Sequence, residues 1–398
     1  MKFVVIGPTY PFRGGIAHFT TLLVKHLRER HSVRFLSYRR QYPRLLFPGN
    51  VGADPSATAL YEQCERPIDT LNPLSWLATA RQIVAERPDI VLLQWWTPFW
   101  IPLLLIVSRA AHKAGIPVLY ISHQFIEPDS SLVEWFFARM TLRLASGLIV
   151  TTEEEFGMAR RVLPGKPIRT GHIPTFAGLP REHLTRAEAR RRLGADPDAP
   201  LLLMFGFVRR YKGLRYLLDA LARMPAPPHL LVAGEFWEDE HAYREQISRL
   251  GLAQRVTLHN RYINNEEIEP YFAAADALVL PYLSGSQSAV GMIAIDYGLP
   301  VIATSVGGLA ETITDGESGL IVPPADSAAL ARAIERFFHE NLGATFRAGM
   351  AQARERLSWA ALIRIIEELS HELNGSSAPE RADGAAAEDR HHGHRTSV

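Results

Sequence analysis

Apolar residues in this chain come in two spacings that alternate from Met1 to about residue 372. Short runs of Val, Ile and Leu, apolar at nearly every position, read as strands buried on both faces; the longer stretches between them repeat their apolar residues at helical spacing. In the first half KFVVIG, VRFLSY, DIVLLQ, PVLYIS and GLIVTT predict strands, and in the second half LLLMFGF, HLLVAG, RVTLHN, ALVLPY, PVIATS and GLIVPP do the same. A loop and a helical stretch follow each run. In NPLSWLATARQIVAER, Asn72 is placed to cap and Pro73 to occupy the first turn. Strands that alternate with helices build parallel sheets covered on both faces. The fold class is therefore α/β, with two Rossmann-like doubly wound domains facing a cleft at the carboxyl ends of their strands.

Breaks in the pattern set the boundaries. Residues 1–173 form the first domain, and residues 200–357 form the second. Between them, residues 174–199 hold several prolines and few strand formers, which reads as an interdomain connection. The amphipathic stretch LSWAALIRIIEELSHEL predicts a helix over 358–374 that packs back on the first domain. Residues 375–398 lack apolar periodicity and read as a disordered tail. The HHGH within that tail has the residues of a metal site but no fixed surroundings to hold them, so no metal site is expected.

Composition adds limits. The chain has 398 residues, 47% hydrophobic and 21% charged, as expected of a globular protein large enough for two cores. Its one cysteine, Cys64, excludes an internal disulfide and suits a reducing compartment. The start MKFVVIGPTY has too short an apolar run for a signal peptide. The most apolar stretch, PFWIPLLLIVSRAAHKAG, is interrupted by Pro102 and turns charged at Arg109, short of the roughly 18 apolar residues of a membrane span. The expected location is the cytoplasm, with the inner face of the membrane as the second site.

Net charge is +1, but residues 1–169 carry 20 Lys and Arg against 13 Asp and Glu, so the first half is the basic one. Two readings fit: an anionic partner such as a phosphate-bearing acceptor or an acidic membrane surface, or scattered solvated charge. The cations form no single stripe with a reader motif, so no nucleic-acid partner is expected.

Three stretches carry chemistry. In GPTYPFRGGIAHFTTLLVKHL, Gly14 and Gly15 precede a helix; paired glycines allow close backbone approach, and a helix start favours phosphate. The dinucleotide fingerprint G-x-G-x-x-G is absent, which argues against a nicotinamide or flavin enzyme. In FGFVRRYKGL, Arg209 and Lys212 follow a strand, pairing a planar guanidinium with a compact ammonium. That pair suits a diphosphate whose charge grows as it leaves. In LSGSQSAVGMIAIDYGLPVIATSVGGLAETITDGESGLIVPP, the amides around Ser288, Ala289 and Val290 start a helix that ends near Gly298, and Glu311 follows a Gly307-Gly308 turn. These amides would cradle phosphate opposite the cations.

The ordered set of these motifs, with YINNEEIEPYFAAADALVLPY between the last two, resembles the retaining GT-B glycosyltransferases that use nucleotide-diphospho-sugars, the group 1 or family 4-like type. The resemblance implies that Arg209 and Lys212 contact the donor diphosphate, that Arg261, Tyr262 and Ile263 border the nucleobase, and that the Gly14-Gly15 loop faces the donor. It also implies a place for His123 of YISHQF near the reacting sugar; the alternative is a hydrogen-bonded core histidine. In the family two glutamates separated by seven residues hold the donor sugar and the ribose. Here those positions are Gly285 and Ile293. Gln287 is the expected substitute at the sugar and Asp296, one helical turn past Ile293, at the ribose.

Two further stretches bear on the acceptor. The loop over residues 38–49 interleaves Arg39, Arg40 and Arg44 with Tyr38, Tyr42, Leu45, Leu46 and Phe47, as for an anionic membrane interface or a lipid-linked acceptor; folding back on its own domain is the other reading. In QWWTPFW, Trp95, Trp96, Phe99 and Trp100 can stack on a sugar, though at least half of them are expected in the core.

The expected function is retaining transfer of a sugar, a hexosyltransferase type of activity, from a nucleotide-diphospho-sugar to a saccharide or lipid-linked acceptor of envelope or polysaccharide type. No metal or other cofactor is expected, since cations and helix-start amides can hold the leaving group. The alternatives are a non-catalytic nucleotide-sugar-binding subunit and a nucleotide-sugar epimerase of the same architecture.

Overall fold

In a computed structural model that describes residues 1–42, 54–56, 60–125, 132–175, 179–285 and 287–375, the chain builds two wholly parallel sheets. The first is formed by β1 (Lys2–Ile6), β2 (Ser32–Arg40), β3 (Glu65–Asp69), β4 (Ile90–Trp95), β5 (Val118–Ser122), β6 (Gly147–Val150) and β7 (Ile168–Thr170), in the order β3-β2-β1-β4-β5-β6-β7. The second is formed by β8 (Leu201–Phe205), β9 (His229–Ala233), β10 (Val256–His259), β11 (Ala277–Leu280), β12 (Val301–Thr304) and β13 (Gly319–Val322), in the order β10-β9-β8-β11-β12-β13. All eleven apolar runs are strands. The two strands without such a run, β3 and β7, lie at opposite edges of the first sheet. An edge position needs little apolar surface: of β3 only Ile68 is buried, and its pairing with β2 slips register twice.

Helices α1 (Gly15–Arg28), α2 (Pro73–Glu86), α3 (Ile101–Lys113), α4 (Leu132–Leu142) and α5 (Glu153–Val162) serve the first sheet. Asn72 caps α2 by accepting from Leu74 N at 3.1 Å, with Pro73 in the first turn. Alternation along the central strands divides the core. Phe3, Val5, Ile90, Leu92, Leu119 and Ile121 face α1, whereas Val4, Ile6, Val91, Leu93, Val118 and Tyr120 face α2 to α5.

The stretch over residues 174–199 is not simply a linker. Thr185 and Glu188 form a reciprocal capping box that starts α6 (Arg186–Leu193). From α6 the buried Arg190 donates to the carbonyls of Ala274, Asp196, Pro197 and Ala199 at 2.8–3.0 Å and to Asp276 Oδ2 at 3.0 Å. That network fastens α6 to the second sheet. The remaining helices are α7 (Leu214–Leu221), α8 (Glu240–Arg249), α9 (Ile268–Ala274), α10 (Ala289–Tyr297), α11 (Leu309–Thr312), α12 (Ser327–His339), α13 (Gly343–Arg356) and α14 (Trp359–Gly375).

Helix α14 lies against α1 and β6, with Trp359 stacked on His26 at 5.1 Å and its Nε1 donating to Thr175 O at 3.0 Å. The α1 face of the first sheet, α14 and the facing layer of the second domain share one apolar cluster. Of the basic, aromatic loop over 38–49, Tyr38, Arg39 and Arg40 belong to β2, and Tyr38 is buried rather than on a loop surface. Residues 43–49, Arg44 and Leu45 to Phe47 among them, lie outside the described residues, as do residues 376–398 of the tail. No described helix is long and apolar enough to cross a membrane.

Candidate functional site

Strand order reverses beside β1 and again beside β8, and at such points neighbouring connections leave to opposite faces and open a crevice at the carboxyl edge. Here the two crevices face each other. They enclose a cavity of about 880 Å³ whose walls come from both domains.

The second-domain wall is cationic. Strand β8 ends at Gly206, with φ 88°; a Cβ here would stand 3.1 Å from Lys212 Nζ and 3.3 Å from Val290 Cγ2, so glycine lets the ammonium and the start of α10 close over the strand end. A tight turn over Arg210–Lys212 then carries Lys212 inward. Burial, with Arg209 nearby, pushes the Lys212 ammonium down to about 8. Arg209 lays its guanidinium 3.9 Å over the ring of Trp237. Among the described residues neither cation has an ion-pair partner. Opposite them Ser288 caps α10 by accepting from Gly291 N at 3.2 Å, and Ala289 and Val290 of its first turn line the cavity.

The first-domain wall holds aromatic rings, a neutral histidine and the acids Glu154 and Glu155. Gly14, with φ 113°, turns the chain into α1, and a Cβ on Gly15 would lie 3.2 Å from that of Ala289. Two helix starts therefore meet across the cavity. His123 follows β5, with its ring edge-on to Phe19 at 4.7 Å. Its Nε2 lies 2.8 Å from Gln94 Oε1; with Nε2–H donating, Nδ1 is the acceptor nitrogen. Burial pushes the imidazole down to about 3, so it is neutral in any ordinary buffer.

Glu155 holds this wall in place. Its carboxylate accepts from Phe125 N at 3.0 Å, Thr151 N at 3.1 Å and Thr151 Oγ1 at 3.0 Å, fixing the turn after His123 to the start of α5. Burial raises the carboxyl of Glu155 despite those three donors. Trp95 and Trp100 are core residues, whereas Trp96 lines the cavity and Phe99 is exposed.

Polar contacts cross between the domains at the rim. Arg13 lies 3.4 Å from Glu235 and 4.9 Å over the ring of Tyr262. Asp54 stands 3.5 Å from His18 and accepts from Ser56, whose Oγ accepts from Asn265 N at 3.0 Å. Burial works against the Asp54 carboxylate, but His18 and Ser56 outweigh it and the carboxyl sits below its ordinary value.

Of the residues singled out in the sequence, Gly14, Gly15, His123, Arg209, Lys212, Tyr262, Ile263, Gln287, Ser288, Ala289 and Val290 all line the cavity. Arg261, Asp296 and Glu311 do not. Arg261 forks onto Glu267 with two contacts of 2.8 Å. Asp296 sits toward the far end of α10, where burial raises its carboxyl and Arg181 pairs with it; it is not on the cavity wall. Glu311 accepts Glu153 N with both oxygens, at 3.0 and 3.1 Å, and so caps α5 of the other domain.

Gln287 also departs from the expectation of a free sugar contact. Its Oε1 accepts from Ile173 N at 2.9 Å and its Nε2 donates to Thr151 O at 2.6 Å, both in the first domain. Sequence reasoning did not pick out Gln94, Glu155, Glu235, Asp54 or His18 for the site. Two of these had a signal: Gln94 is a polar end to the run DIVLLQ, and Thr152 to Glu155 has the spacing of a capping pair.

Comparison with known proteins matches this division. Residues 14–175 match the glycosyl transferase 4-like domain, and residues 199–340 match the glycosyl transferases group 1. The D-inositol 3-phosphate glycosyltransferase of Streptomyces scabiei is 28% identical over 277 residues, 63% of this chain. The chain spans 61% of that relative's length.

Among solved structures, Anabaena HepE in complex with UDP superimposes with a TM-score of 0.73 at 20% identity, covering 93% of this chain and 100% of that one. Sucrose-phosphate synthase from Thermosynechococcus elongatus gives 0.70 at 20% identity over 94% of this chain and 99% of that one. One matched domain supplies the aromatic wall and the other the cationic wall, in the GT-B arrangement, and the chain belongs to the group 1 glycosyltransferases.

Proposed function

We propose that the chain moves a sugar from a nucleotide-diphospho-sugar to a saccharide or lipid-linked acceptor of envelope or polysaccharide type, with retention at the anomeric carbon. The observation that carries this reading is the pair Arg209 and Lys212: two cations at a cavity wall, without a counter-ion among the described residues, beside the start of α10. A buried ammonium with no partner is unfavourable, and a diphosphate relieves that cost while gaining charge-assisted hydrogen bonds.

In transfer, the bond from the anomeric carbon to the phosphate oxygen breaks and its electron pair goes to the diphosphate, where both cations and the helix start stabilise it. The acceptor oxygen attacks the same face, and its proton passes to the departing phosphate oxygen. His123 stands in the cavity wall neutral at working pH and so adds no charge beside the reacting sugar. No step calls for a metal, because the protein's own cations meet the leaving charge.

A second reading, a nucleotide-sugar-binding subunit without transferase activity, draws on one observation: the Gln287 amide is taken up by Ile173 and Thr151 of the first domain, and Asp296 is paired with Arg181 off the cavity wall. Purified protein incubated with uridine, guanosine and adenosine diphospho-sugars separates the two. Donor turnover that survives a chelator supports the first reading. Raised thermal stability with a nucleotide diphosphate, but no turnover with any donor and acceptor, supports the second.

A further inference from the structure

A second cavity, of about 900 Å³, adjoins the first and shares Arg209, Tyr211, Glu235 and Ser284 with it. Three acids line it: Glu235, Glu238 and Asp239. An arginine placed among carboxylates ordinarily pairs with one of them. Here each acid is directed elsewhere: Glu235 lies 3.4 Å from Arg13, Glu238 accepts from Tyr243 OH, and Asp239 caps α8 by accepting from His241 N at 3.0 Å. What Arg209 meets instead is the face of Trp237, 3.9 Å from its guanidinium carbon.

Trp237 is itself held. The chain keeps pairing past the ends of β8 and β9, with Val208 N donating to Glu235 O at 2.9 Å and Trp237 N to Val208 O at 3.0 Å. That extension sets the Trp237 ring 4.9 Å from Phe207, and Phe207 leads on to Tyr262 at 6.2 Å, which has the Arg13 guanidinium 4.9 Å over it. Three rings form a row with an arginine at each end. The ends differ in charge balance: Arg13 has Glu235 beside it, whereas among the described residues no carboxylate pairs with Arg209. A guanidinium that rests on a ring by its face keeps its N–H groups, which lie in its plane, for an anion at its edge. Ordering that rotamer-rich side chain before the ligand arrives removes a cost from binding.

We propose that Trp237 is a positioning residue for Arg209: its ring holds the guanidinium at the cavity, off the acids of the second cavity, with the N–H edge turned to the second phosphate of a nucleoside diphosphate. The proposal rests on the reading that Arg209 meets the donor diphosphate. In this role Trp237 touches no reacting atom and acts through Arg209 alone.

The test is calorimetric titration of the full chain with uridine, guanosine and adenosine diphosphates and with the matching monophosphates. Trp237→Leu is expected to weaken diphosphate binding about tenfold and to lower donor turnover by a similar factor, while monophosphate affinity changes less than about twofold. Trp237→Met, which keeps bulk without a ring, should do the same, so a folding defect in one variant does not decide the matter; the thermal midpoint of each shows whether it is folded. Trp237→Phe restores a ring face and should recover most of the loss. In an Arg209→Ala background Trp237→Leu should cost nothing further, the mark of one residue acting through another. Equal weakening of monophosphate and diphosphate would overturn the proposal, since the ring would then serve the nucleoside. Additive losses in the double variant, or native diphosphate affinity in both Trp237→Leu and Trp237→Met, would overturn it too. Arg209→Ala separates the two levels: native diphosphate affinity in that variant removes the diphosphate from Arg209 and the positioning role with it, whereas a loss there without one at Trp237 removes the positioning role alone.

Discussion

The two walls of the cavity do opposite things with charge. The second-domain wall keeps Arg209 and Lys212 without counter-ions among the described residues, at the mouth of a helix start, whereas the first-domain wall has a neutral histidine, an aromatic ring and a carboxylate held by three donors. A site that only had to bind an uncharged sugar would not hold an uncompensated ammonium. A site that only had to bind phosphate would not need the ordered first-domain wall. Under the proposed function the difference divides the labour: one domain would take the anion that leaves, and the other would shape the space in which the sugar and its acceptor meet.

The division is broken most directly on the cationic side. Arg209→Ala and Lys212→Ala are each expected to lower donor turnover by about 10² or more, the scale of losing one preorganised donor to developing charge. Turnover at the native rate in both variants would put the diphosphate elsewhere. On the first-domain side, His123→Phe keeps an aromatic ring and removes the ring nitrogens. Transfer should fall by about 10- to 100-fold while affinity for the nucleotide diphosphate changes less than about threefold, a split that a purely structural histidine would not produce.

Titration sharpens the comparison further. Burial holds the Lys212 ammonium down at about 8, and bound diphosphate must raise that value because it favours the charged form. Affinity for the diphosphate should thus be flat below pH 8 and weaken up to about tenfold per pH unit above it. The slope should vanish in Lys212→Ala. His123, held near 3, contributes no change over the same range. The smallest effect belongs to the contact between the walls: Gln287→Ala removes its bonds to Ile173 and Thr151. It should raise the Michaelis constant for donor by about three- to tenfold, the cost of one or two hydrogen bonds. Small-angle scattering should show a larger radius of gyration if the domains part, and an unchanged radius would remove Gln287 from domain closure.

The walls also differ in how they read from sequence. On the cationic side Gly206, Arg209, Lys212, Gly213 and Ser288 to Val290 come from two short segments, because a strand end, a turn and a helix start are local events with local signatures. The first-domain wall draws Gly14 from the turn before α1, His123 from the residues after β5 and Glu155 from α5, with Gln94 of β4 bonded to the histidine. Nothing within any one connection announces the others. Spacing along α10 was misleading for Asp296: a position one turn past Ile293 is near it on the helix, yet the helix runs away from the cavity and Arg181 waits at that depth.

Alternating apolar runs and amphipathic stretches were enough to determine two parallel sheets, all six strands of the second and five of the seven of the first, because burial on both faces leaves an uninterrupted apolar signal. Edge strands β3 and β7 escaped for the same reason in reverse, being too little buried to need one. What only tertiary structure decided is which polar side chains meet across the cleft. Gln287 and Glu311 are polar residues on loops and turns in the sequence, and become interdomain contacts only when the carboxyl edges of the two sheets face each other. Local propensity acts over a few residues, whereas these pairs are brought together by packing across 136 and 158 residues of chain.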